Sequence, residues 1–154
     1  AGGVVAAMLA TQVKYGKIDL TYALNGAIAG LVSITAGPDL QNHLLAVLIG
    51  AVGGVLVVVT VPLLDKLKID DVVGAIPAHL VAGIWGTLCV GIFGSGNIGT
   101  QITGIVAIGV FVFVASFVIW FILKSTIGIR ATDEAQEQGL DTSEVGIRAY
   151  PEFH

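Results

Sequence analysis

Apolar residues run along this chain in long blocks, and the polar ones collect between them. The blocks fall at about 1–13, 20–36, 44–64, 72–93 and 102–123. Inside each block the hydrophobic residues occupy every side, so the pattern is neither a strand's alternation nor a one-faced helical stripe. A helix that is apolar all round needs either a large polar shell or a bilayer around it. The chain has no material for such a shell. The pattern therefore predicts an all-α, polytopic transmembrane helix bundle. The first block is apolar for only 13 residues before Lys14, short of the roughly 20 that span a bilayer. It reads as a chain that opens inside a helix, and the bundle as a partial one.

Composition agrees. The 154 residues are 55% hydrophobic and 12% charged, against roughly 25% charged in a soluble domain, and mean hydropathy is +0.93. The net charge of −4 belongs mostly to a polar segment after residue 130. Residues 1–130 form the membrane region and 131–154 a tail. Lys14, Lys17, Lys66, Lys68, Lys124 and Arg130 fall in the first, third and fifth connectors, and Arg148 in the tail; these are all seven Lys and Arg residues. An alternating topology places them on one side. The positive-inside rule makes that side, and the tail, cytoplasmic. No basic patch supports nucleic-acid binding.

The 21 glycines lie mostly inside the blocks. Gly26 and Gly30 are four apart, as are Gly50 and Gly54, the spacing that lets helix backbones approach closely in lipid. Five helices are too few for a whole bundle of this kind. The tail segment "TDEAQEQG" reads as a short helix with Thr132 as N-cap and Gly139 as stop. The following "GLDTSEVG" is a turn region, and Tyr150 and Phe153 are aromatic anchors. Cys89, the only cysteine, is a small packing residue. No metal-ligand spacing, cofactor motif or nucleophile–base pair appears, so the chain is not read as an enzyme.

Candidate chemistry centres on "DDVVGAIPAHLVAGIWG". His79 stands inside an apolar span, where a polar group faces the bundle interior or a water path. A neutral imidazole offers one donor and one acceptor, and burial disfavours its charged form. Such a ring suits a lumen passing an uncharged polar solute; packing glue is the alternative. Pro77 removes one helical hydrogen bond, so the helix starts late or breaks near residues 70–77. Asp70 and Asp71 are N-terminal caps. Asn25 either makes an interhelical hydrogen bond or lines the cytoplasmic half of a pore. His43 and His154 are solvated, and Trp85 and Trp120 suit packing or interfacial belts.

Three segments, "LTYALNGAIAGLVSITAGPD", "DKLKIDDVVGAIPAHLVAGIWGTLCVGIF" and "GLDTSEVGIRAYPEF", resemble the Amt/Mep/Rh ammonium transporter family in order and spacing. The resemblance covers essentially the whole chain and corresponds to the last five of the family's eleven helices plus its cytoplasmic tail. It implies a homotrimer in a plasma or bacterial inner membrane, with one pore per subunit. Ammonium is deprotonated on entry, and ammonia crosses an apolar lumen lined by twin histidines. His79 matches the second of these. Asn25 matches a small polar position on the cytoplasmic side, and Ala75 and Ile76 match the lumen wall. The tail, with Thr142, Glu144 and Tyr150, resembles the regulatory segment that couples subunits and meets a cytoplasmic nitrogen-regulatory signal protein. Leu80 replaces a common glycine beside the pore histidine, and Val145 and Ile147 replace polar tail residues. Two other readings stand beside transport: an ammonium-sensing or scaffold module with a signalling tail, and a non-conducting fragment.

Overall fold

The computed structural model describes residues 1–152. Phe153 and His154 lie outside the described residues. The chain is helical, with no strand among the described residues. It divides into two compact units, one covering Ala1–Ile108 and one beginning at Gly109.

The first unit is built from α1 (Gly2–Tyr15), α2 (Leu20–Thr35), α3 (His43–Lys66) and α4 (Ile76–Phe93), and it holds the start of α5 (Ile98–Thr126). Helices α3, α4 and α5 are long and apolar enough to cross a membrane; α2 is apolar and shorter. Local chemistry sets the helix ends. Gly16 ends α1 at φ 74°, a conformation that costs glycine nothing. Asp19 caps α2 by accepting the Tyr22 N–H at 3.1 Å, and Asn42 caps α3 by accepting the Leu45 N–H at 3.0 Å. Asn97 accepts the N–H groups of Gly99 and Thr100 at 2.8 and 3.2 Å, which starts α5 four residues before its apolar block. A cap nucleates helix through polar residues as readily as through apolar ones, whereas hydropathy sees only the apolar part.

Helices α1, α2 and α3 meet backbone to backbone. A Cβ on Gly26 would lie 2.6 Å from the Ala7 Cβ and 2.7 Å from the Gly3 carbonyl oxygen. One on Gly54 would strike that same carbonyl, and one on Gly30 would sit 3.2 Å from the Gly3 Cα. Around this junction Ala29, Val57 and Ala82 form a buried cluster flanked by Tyr22, Val32 and Val61. Buried hydroxyls stay paired: Thr11 donates to the Ala7 carbonyl at 2.9 Å. The Trp85 indole donates to the Ile49 carbonyl at 3.0 Å, so this ring packs inside the bundle.

Pro62 lies inside α3. Lacking an N–H, it leaves the carbonyl of Val58 without its intrahelical partner. The Lys14 ammonium, reaching across from α1, donates to that carbonyl at 3.2 Å. A cation thus takes the place of a backbone amide, one of the ways a proline is accommodated in an apolar helix.

In the second unit α5 continues to Thr126, carrying a ladder of rings: Phe113 and Phe117 stack at 6.4 Å between centroids, Phe117 and Phe121 at 6.3 Å. Helix α6 (Asp133–Gln138) follows. Thr132 accepts the Ala135 N–H at 3.2 Å and Gly139 ends α6 at φ 95°, as the sequence predicts. The segment expected as a plain turn contains a π-helical turn, Asp141–Val145, closed by Gly146 at φ 75°.

Candidate functional site

The segment carrying His79 is not a plain α-helix. Gly74 adopts φ 74°, and the chain turns there before α4 begins. The first turn of α4, Ile76–Val81, is π-helical, a geometry that appears mostly as single turns at functional sites. Asp71 fixes its start: the two carboxylate oxygens accept the Ala75 and Ile76 N–H groups, each at 2.8 Å. This is the capping role expected of it. The fourth helix therefore begins near residue 76 and not at 72, the late start that Pro77 signals.

Pro77 and Ala78 are buried, Ile76 is half-buried, and Ala75, His79 and Leu80 are exposed. His79 and Ala75 thus share an uncovered face of the chain, with Ile76 at its edge. The sequence expects His79 to face the bundle interior or a water path; among the described residues the ring is exposed. A pocket between α2, α3 and α4 is elsewhere, lined by Ser33, Ile49, Gly86 and Cys89 among others. Cys89 is 4% exposed, as a packing residue should be.

Asn25 is half-buried on α2. Its Nδ2 donates to the Val73 carbonyl at 2.9 Å, so the structure brings Asn25 to the turn preceding α4. Of the two roles open to it in sequence, the amide makes the hydrogen bond to a neighbouring segment. A Cβ on Gly74 would lie 2.8 Å from the same amide.

The tail residues Thr142, Glu144 and Tyr150 are all exposed in the second unit. The residue that organises this segment is one the sequence reading passed over. Asp141 accepts the Ala149 N–H at 2.7 Å with its carboxylate, and its backbone carbonyl accepts the Ile147 N–H at 3.1 Å. The Ala149 hydrogen bond, more than any other contact, holds the carboxyl below the ordinary aspartate value of 3.8. A depressed folded-state pKa stabilises above the unfolded value and is lost as pH falls through the folded one. The protection of the Ala149 amide from exchange, taken relative to the intrinsic rate at each pH, is therefore expected to be highest near neutrality and to fall as pH drops below the ordinary aspartate range. Asp141→Asn should remove that pH dependence. No group of His, Cys, Asp and Glu suited to a metal occurs among the described residues.

The sequence matches the Ammonium Transporter Family over residues 1–150. The chain belongs to that family. Its relatives include the ammonium transporter Amt2 of Archaeoglobus fulgidus, 35% identical over 99% of this chain and 37% of that protein. Another is the ammonium transporter Amt1 of Methanocaldococcus jannaschii, 34% identical over 99% of this chain and 40% of that protein. The chain thus spans well under half the length of these relatives. A solved structure titled "Sensor Amt Protein" matches with a TM-score of 0.86 and 29% identity, over 93% of this chain and 38% of that one. Membership in this family, with apolar helices of spanning length, makes this a membrane protein.

Proposed function

We propose that this chain is part of an ammonium transporter, and that the face carrying His79 and Ala75, with Ile76 at its edge, is one wall of the path taken by ammonium or ammonia. The observation that carries this reading is the π-helical turn Ile76–Val81. It presents an imidazole on an uncovered, otherwise apolar face in a chain of this family. A second histidine and the opposite wall would come from outside this chain. A wall apolar but for one ring that both donates and accepts favours a small uncharged solute over a hydrated cation. In the same reading the protein is a homotrimer in the cell membrane. The side bearing Lys14, Lys66, Lys124 and the tail is cytoplasmic, and Thr142, Glu144 and Tyr150 offer a surface to a signalling protein.

The test is His79→Ala in the full-length protein, followed by methylammonium uptake and ammonium-evoked current in liposomes. Losing one hydrogen bond of about 1 kcal/mol at the path corresponds to roughly a fivefold change in flux or in selectivity. Transport and selectivity unchanged in an assembled variant would reduce His79 to packing. The likeness to a structure titled as a sensor favours a second reading, in which ammonium binding alters the tail and little is carried. Wild-type protein that binds ammonium yet passes no current would decide for it.

A further inference from the structure

Pro62, inside α3, leaves a carbonyl four residues upstream without its usual donor, whereas Pro77 stands in the first turn of its helix, where an N–H would have had no intrahelical partner. For Pro62 in α3 the carbonyl is that of Val58, and Lys14 covers it. Just before α4 the Val73 carbonyl, in the turn, accepts from Asn25 Nδ2 at 2.9 Å. In each case a side chain from another helix donates to a backbone carbonyl. The second case lies directly beside the His79 face.

The turn that Asn25 holds has few other restraints. Val72 and Val73 are 88% and 66% exposed, so packing does not fix them. Gly74 is in the left-handed region, where it has freedom that other residues lack. Asp71 fixes the amides on the far side, at Ala75 and Ile76. Between those anchors the Asn25 bond is the tie from the turn to α2. It also limits Gly74, because any side chain there would meet the amide. Three residues after Gly74, Pro77 is buried, and His79 leaves the same π-helical turn.

We propose that Asn25 is a positioning residue for transport: its amide ties the Val73 carbonyl to α2, and so fixes the turn from which His79 is presented. This rests on the reading of His79 as part of the path. Asn25 acts through the backbone of residues 73–79 and not by meeting the solute.

The experiment compares Asn25→Leu, His79→Ala and the double variant in the full-length protein in liposomes. It reads the ratio of ammonium-evoked current to methylammonium-evoked current. Asn25→Leu keeps the side-chain volume and removes the donor. It should shift the ratio by about fivefold, the size of one lost hydrogen bond, while assembly is unchanged. In the His79→Ala background it should produce no further shift. An Asn25→Leu ratio equal to wild type, with His79→Ala altered, overturns the proposal and leaves the transport reading standing. Shifts that multiply in the double variant overturn it as well, since Asn25 would then act on the path by itself. An unaltered His79→Ala removes the transport reading and this proposal with it. Should Asn25→Leu fail to assemble, Gly74→Asn displaces the amide from the other side, because asparagine tolerates positive φ. The same ratio is then read. Failure of both to assemble assigns the bond to folding alone and overturns the proposal.

Discussion

Replacing Gly54 with leucine should prevent the protein from assembling. Gly54 faces Gly3 with no space for a Cβ, and Gly3 in turn lies against Gly26 and Gly30. One added side chain therefore has to separate α3 from α1 and disturb the α1–α2 contact too. Overpacking in a well-filled core costs about 1–3 kcal/mol, and more where the obstacle is backbone that cannot rotate away. Here the obstacle is backbone, so at least about 3 kcal/mol is expected. Gly104 makes the control, because a Cβ there meets nothing within 4 Å. Gly104→Ala should elute from a sizing column like wild type while Gly54→Leu aggregates. If both elute alike, the backbone junction is not what holds these helices together.

Lys14→Met should destabilise the protein, and the loss should disappear when Pro62 is replaced by alanine. The reason is the orphaned carbonyl of Val58: with Pro62 present, Lys14 is its donor. With alanine at 62 the backbone N–H returns, and the carbonyl has its ordinary helical partner. A hydrogen bond to a charged group contributes about 1.5–3 kcal/mol. The Lys14 side chain is exposed, so the low end of that range applies. Thermal unfolding in detergent of wild type, the two single variants and the double variant forms a complete cycle. A loss of equal size in both backgrounds would mean that the lysine stabilises by some other route.

Much of the bundle is legible from hydropathy alone. The five apolar blocks correspond to α1 to α5, and the small residues four apart sit where the backbones touch. The discrepancies lie at helix ends. Asn97 extends α5 through Gly99, Thr100 and Gln101, and Gly74 delays α4 to residue 76. Both are decisions of capping and backbone conformation, to which a hydrophobicity window is blind. The need at Pro62 was within reach: counting four residues back names a carbonyl that lacks a donor. Which side chain supplies it depends on tertiary contact. The π-helical form of residues 76–81 left no mark in the pattern, since an all-round apolar run looks the same in any helical register. The environment of His79 was unreadable for a related reason. An apolar run does not say which of its faces the neighbours leave bare.

The π-helical turn also bears on how this sequence can change its length. Most of the connectors tolerate gain or loss of a codon, because an exposed loop absorbs it. The six residues Ile76–Val81 do not have that latitude. Losing one of them would let the helix relax to ordinary winding, and each residue on the near side of the cut would swing by about 100° around the axis. The imidazole would then look in another direction. The number of residues in the turn, and not only their identity, thus sets where His79 looks.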